Sequence, residues 1–249
     1  MYENIIVPEI IAGMKAAHSN AIQFTENFAP ILNTEYLITV NIAQKISKLG
    51  PIGEGNPTKV YLEEPTKTFS SKCVPLMKSV IIKNYFNNNV VFRKPKNTDR
   101  NGRIDISVYE DALSGLEDKP VCAIEVKGVG PSKKLVIKDL NRNLEYFKLF
   151  CKTGPSIIEF TAFSAMYSYP KSINSSEEKT NNDIVKDKYE KYLNSIALPS
   201  NVEAEIKEFT VSKFLREPGY QSPEFEYEDD SHELHHLVGV IVIFRWESN

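Results

Sequence analysis

The chain has 249 residues, with 30 basic and 33 acidic side chains giving a net charge of -3, and 41% of it is hydrophobic. That length accommodates one large folded domain, and the composition is that of a globular protein rather than a disordered or fibrous one. The longest apolar runs, such as Leu237–Phe244, are too short for a membrane-spanning helix, and the first residues lack the basic and apolar segments of a secretory signal, so a cytoplasmic location is expected.

In chain order, residues 35–49 place Tyr36, Val40, Ile42, Ala43, Ile46 and Leu49 near helical spacing, with Asn33 or Thr34 as cap and Gly50-Pro51 as stop. A Gly/Pro/Asn turn then leads to a short strand at Lys59–Glu63, and a helix is expected over Val74–Phe86 before a short strand at Val90–Phe92. Arg103–Tyr109 alternates apolar and polar residues, the period of a strand with one buried face, and sets Arg103, Asp105 and Ser107 on the same side. Val121–Lys127 is a second strand, with Ala123, Glu125 and Lys127 sharing one face, and it ends at Gly128, Gly130 and Pro131. Leu140, Leu144, Phe147 and Phe150 mark a helix within Leu135–Phe150, and Ser156–Met166 reads as a further strand. Beyond Pro170 we expect an exposed loop over Ser172–Asn182, an amphipathic helix over Asp183–Ile196, and strands at Ala204–Val211 and Leu237–Trp246. Alternating helices and strands imply an α/β domain in layers. We read residues 1–249 as a single domain, with a core at about 34–166 and a C-terminal extension over 170–249.

Charge is unevenly distributed. Between Lys72 and Arg103 stand Lys72, Lys78, Lys83, Arg93, Lys94, Lys96, Arg100 and Arg103 against the acid Asp99, whereas Glu224, Glu226, Glu228, Asp229 and Asp230 cluster later. The first stretch fits a polyanion-binding face. Cys73, Cys122 and Cys151 are widely separated and form no C-x-x-C pair, which suits free thiols in a reducing compartment.

Asp105 on one strand and Glu125 and Lys127 on the next carry the chemistry. If the strands pair, two carboxylates converge on one hard divalent cation, and the Val126 carbonyl completes an all-oxygen set suited to Mg²⁺. Such an ion polarises a phosphoryl oxygen and lowers the pKa of an attacking water, and Lys127 lies on the right face to position that water or neutralise developing charge. The parts fit phosphodiester hydrolysis. The plainer reading is a solvated strand face carrying a surface ion pair of little energetic worth.

The ordered set of Ile-Asp-Ile strand, loop, Ala-Ile-Glu-Val-Lys-Gly strand and helix resembles the PD-(D/E)xK, or restriction-endonuclease-like, nuclease superfamily over about residues 34–166. The resemblance implies a helix, three-strand, helix, strand core with a mixed sheet, in which Asp105, Glu125 and Lys127 serve Mg²⁺-dependent (or Mn²⁺-dependent) DNA hydrolysis in restriction or anti-phage defence. Ile104 stands where the family's name-giving proline would be. The family's additional glutamate on the first core helix matches Glu35 by position, with Glu63 or Glu64 as rivals; the alternative is that Glu35 only favours the helix N-terminus. Lys138–Arg142 resembles the family's polar helix near the phosphates. Arg142 holds a phosphate on one reading and a surface pair with Asp139 on the other.

The DNA-contacting residues expected from charge and position are Arg93, Lys94, Lys96, Arg100, Arg103, Lys133, Lys134 and Arg142. Partners implied are DNA, a second copy of the chain, and a helicase, ATPase or sensor protein. A two-fold dimer would draw on Leu237–Trp246 as an exposed edge strand, unless that strand is buried in the monomer. Two other function classes compete: a nuclease-fold protein that binds nucleic acid or a partner without turnover, and a zinc peptidase, since His232, Glu233 and His236 satisfy H-E-x-x-H.

Overall fold

The computed structural model describes residues 2–25, 35–51, 56–75, 77–80, 89–92, 102–111, 118–151, 154–169, 175–216 and 233–247. The elements are α1 (Glu3–Thr25), α2 (Glu35–Ser47), β1 (Thr58–Pro65), α3 (Thr66–Lys72), β2 (Met77–Val80), β3 (Asn89–Phe92), β4 (Arg103–Glu110) and β5 (Lys119–Val129). They continue with α4 (Lys133–Glu145), a 3-10 turn at Tyr146–Lys148, β6 (Phe150–Cys151), β7 (Gly154–Pro155), β8 (Phe160–Tyr169), α5 (Ser175–Leu193), β9 (Val202–Arg216) and β10 (Glu233–Trp246).

A six-stranded mixed sheet in the order β1-β4-β5-β8-β10-β9 organises the chain, so the molecule is α/β as expected. All its neighbouring pairs are antiparallel except β5 and β8, which α4 connects as a parallel crossover. The two sides of the sheet bury separate apolar clusters. On one, Ile106, Val108, Ile124 and Val126 pack with Ile6, Ile10 and Met14 of α1 and Ile38, Ile42 and Ile46 of α2. On the other, Tyr109, Ala123, Phe163 and Val240 pack with Phe69 of α3, Val136, Leu140 and Leu144 of α4, and Val185 and Tyr189 of α5. Each fully buried Ile or Val contributes about 1.5–3 kcal/mol, and these two layers fix the sheet between helices.

Close approach of the first two helices depends on Gly13. A Cβ there would lie 2.4 Å from the Ile42 Cα, so the α1–α2 contact admits no side chain at that point. At the end of β5, Gly130 takes φ +65°, a left-handed turn that glycine adopts without steric cost, and its N–H bonds the Met166 carbonyl as the chain leaves for α4.

Several expectations need correction. The helix expected over 74–86 is instead entered by strand β2, paired antiparallel with β3, and residues 81–88 lie outside the described residues. The loop expected over 172–182 is largely helix, because α5 begins at Ser175. Of the two readings of Leu237–Trp246, burial in the monomer holds: β10 lies between β8 and β9, its residues 236–244 are buried, and the sheet edges are β1 and β9. The N-terminal helix α1 and the short α3 were not anticipated. Among the described residues no helix is long and apolar enough to cross a membrane.

Candidate metal and phosphodiester site

Strands β4 and β5 pair with Ile106 opposite Ile124 and Ser107 opposite Ala123. The paired ladder stops at Ile106 and Ile124, one residue short of Asp105 and Glu125, and Ile104 and Ile106 lie in the opposite apolar clusters, so the alternation of β4 breaks at Asp105. Here the main-chain ladder ends and a side chain replaces it: the Val126 N–H donates to Asp105 Oδ2 at 2.7 Å. The pairing of β5 with β8 also shifts between Val126 and Val129 and resumes at Val129 opposite Met166, so Lys127 sits at an irregularity of the ladder.

The charged groups form a chain around Asp105. Lys127 Nζ donates to Glu35 Oε1 of α2 at 2.9 Å and to the Val126 carbonyl at 3.0 Å, and lies 3.5 Å from Asp139 Oδ2 of α4. Arg142 Nη1 donates to Asp139 Oδ1 at 2.9 Å and stands 3.8 Å from Glu125 Oε2. Glu125 and Asp139 are buried, and Arg142 is largely covered. The reading of Asp139 and Arg142 as a surface pair is therefore corrected: Asp139 is a buried bridge between the site's two cations. Its signal in the sequence was a polar residue inside the apolar stripe Val136, Leu140, Leu144.

Burial pushes the Asp105 carboxyl up to about 6, against the Val126 hydrogen bond and the Lys127 charge, which lower it; the charges of Glu35 and Glu63 add to the rise. For Lys127, burial works against the ammonium, but the Glu35 hydrogen bond and the charges of Asp139, Asp105 and Glu35 outweigh it and hold its pKa above the ordinary lysine value. Lys127 is a cation at neutral pH, fitted to donate a hydrogen bond or balance negative charge and unsuited to be a general base. Burial likewise opposes the Arg142 charge, and Glu125 and Asp139 overcome it.

The rivals to Glu35 separate clearly. Glu64 is buried and committed elsewhere: Tyr109 donates to it at 2.7 Å, Ser107 bonds it as well, and Lys72 stands 3.8 Å away. Glu63 lies between Leu62, opposite Ile106, and Glu64, opposite Ile104, which aligns it with Asp105. It adopts φ +53°, an uncommon conformation for a residue with a Cβ, and its carbonyl accepts from Arg103 Nη1 at 3.1 Å. Glu35 keeps its place at the start of α2, engaged by Lys127.

Among the described residues no three His, Cys, Asp or Glu side chains are gathered as a ready metal cage. Mg²⁺ does not require one, since it is commonly bound through one or two carboxylates, retained waters and substrate phosphates. Asp105, Glu125 and the second lone pair of the Val126 carbonyl fit that donor set. The local charge fits too: Asp105, Glu125, Glu35, Asp139 and Glu63 bring negative charge to the site against Lys127 and Arg142, an acidic excess among the described residues that a divalent cation would reduce.

Of the expected DNA-contacting residues, Arg103, Lys133 and Lys134 are exposed and Arg142 is part of the site, whereas Arg93, Lys94, Lys96 and Arg100 lie outside the described residues. The H-E-x-x-H frame does not form the helical pair that zinc peptidases need. Glu233 and His236 belong to strand β10, and buried His236 hydrogen-bonds Asn181 at 3.2 Å and Thr210 at 3.1 Å; His232 lies outside the described residues.

Comparison with protein-family models, with curated proteins and with solved structures finds no match in any of the three.

Proposed function

We propose that this chain is a Mg²⁺-dependent deoxyribonuclease of the restriction-endonuclease-like kind, serving restriction or anti-phage defence. The observation that carries the reading is the Asp105 carboxylate bonded to the Val126 N–H, between Glu125 and Lys127 in the sequence of β5, with Lys127 held by Glu35 and Asp139. The order α2, β1, β4, β5, α4, β8 in a mixed sheet, with α3 and the β2–β3 hairpin inserted, supports the reading.

Asp105, Glu125 and the Val126 carbonyl would hold the ion. When bound, it would polarise the scissile phosphate and acidify an attacking water. Lys127 supplies a fixed positive charge to the phosphoryl oxygens, and Glu35 and Asp139 orient it from two sides. Arg142 compensates buried Glu125 while the ion is away. DNA is the substrate, and a second copy of the chain on the opposite strand, together with a helicase, ATPase or sensor protein, completes the proposal.

An end-labelled duplex incubated with the purified chain tests this. Hydrolysis that requires Mg²⁺ or Mn²⁺ and stops on chelation supports it; tight binding without turnover under every metal condition selects the nucleic-acid-binding reading instead.

A further inference from the structure

A second basic feature lies where α4 of the core meets α5 of the C-terminal extension. Lys133 at the start of α4 and Ile184, Asp187, Lys188, Lys191 and Tyr192 of α5 line an open groove of about 360 Å³. Its cations are held by rings rather than by carboxylates: Lys133 Nζ stands 5.7 Å from the Tyr192 ring centroid, and Lys188 Nζ 4.1 Å from that of Tyr167. Desolvation by burial lowers the Lys188 pKa. Three lysines against Asp187 thus leave a surplus of positive charge over an apolar aromatic floor. Such a surface is complementary to a polyanion whose bases present stacking faces.

The groove and the site share α4: six residues separate Lys133 from Asp139, about 9 Å along the helix axis. We propose that the α4–α5 groove grips the sugar-phosphate backbone of the substrate strand to one side of the bond attacked at Asp105 and Glu125. Lys188 and Lys191 contact phosphates, and Tyr192 offers its ring to a base or sugar.

The inference rests on the nuclease reading, and the test separates the two. Affinity of the full chain for a labelled duplex is measured by anisotropy over a range of salt, for wild type, the double variant Lys188→Glu/Lys191→Glu, and Asp187→Asn. The double reversal is expected to weaken binding about tenfold or more and to reduce the slope of log affinity against log salt by about 2, whereas Asp187→Asn tightens binding. Cleavage of an oligonucleotide too short to reach the groove stays at the wild-type rate in the double variant. Amine labelling of wild type read by mass spectrometry should show Lys133, Lys188 and Lys191 shielded by DNA. Unchanged affinity and slope in both variants overturn the groove while leaving the nuclease intact. Shielding by poly-glutamate but not by DNA overturns it in favour of an acidic protein partner. A wild-type chain that binds no nucleic acid removes the nuclease reading and the groove together.

Discussion

Lys127 of β5 and Glu35 of α2, 92 residues apart, are joined by a 2.9 Å hydrogen bond that ties the site's ammonium to the helix layer on one side of the sheet. Asp139 holds the same ammonium from the other helix layer, so Lys127 is positioned by both sides of the fold at once. Precise placement of a charge that acts only in the transition state is worth more than its binding energy.

Replacing the lysine separates metal binding from chemistry. Lys127→Ala removes a cation and no metal donor, so divalent-ion affinity measured by calorimetry is preserved or raised while cleavage falls by about 10²-fold or more. A parallel loss of metal affinity contradicts the role assigned to Lys127.

The tether itself makes a finer prediction. Glu35→Gln removes a negative charge that raises the Asp105 pKa and weakens the charge-assisted hydrogen bond that orients Lys127, since the amide oxygen still accepts. The acid limb of the pH–rate profile then moves to lower pH and the maximal rate drops, with the Mg²⁺ requirement unchanged. A raised Mg²⁺ requirement makes Glu35 a metal ligand instead.

Asp105 sets the pH dependence. Its carboxyl ionises at about 6 in the fold against 3.8 as the ordinary value, so the folded chain binds this proton more tightly than the unfolded one. Without metal, this group's contribution to stability is fully present below 3.8 and lost as pH rises through about 6. A divalent ion needs the ionised form and reverses the sign. Thermal unfolding should show Mg²⁺ raising the melting temperature well above pH 6 and having little effect well below it, with activity falling along the same limb. Equal stabilisation on both sides of that limb counts against Asp105 as a ligand.

Packing yields a prediction independent of function. At an exposed helix position Gly→Ala is favourable by about 1 kcal/mol. At Gly13 the new Cβ meets the Ile42 backbone, so Gly13→Ala should destabilise the chain by about 1–3 kcal/mol in chemical denaturation. Neutral or increased stability means that α1 and α2 do not meet as described.

The strands that build the site were legible because period-two alternation runs through the sequence Arg103–Tyr109 and because Val121–Lys127 is apolar except at Glu125 and Lys127. Other elements were not, for physical reasons. Val74, Met77, Val80 and Ile81 stand at helical spacing, yet cross-strand pairing with 89–92 decides 77–80. In α1 Pro8 interrupts the helical hydrogen bonding that Ile6, Ile10, Met14 and Ala17 otherwise advertise, and burial against the sheet overrides that cost. The spacing of Asp139 and Arg142 is that of a pair facing water, and the position of Asp139 within the apolar stripe of α4 is the opposing signal, which the contacts of the pair with Lys127 and Glu125 decide.

The central claim is that Asp105 and Glu125 hold a cation that hydrolyses phosphodiesters. Supercoiled plasmid incubated with wild type and with Glu125→Gln, each with and without Mg²⁺, tests it most directly. Wild type with Mg²⁺ should nick or linearise the plasmid, and Glu125→Gln should lose about 10³-fold or more of that rate, equivalent to about 4 kcal/mol, while retaining the wild-type circular dichroism spectrum. Mg²⁺-dependent cleavage at the wild-type rate by Glu125→Gln, or no cleavage by wild type with either Mg²⁺ or Mn²⁺, would contradict the account.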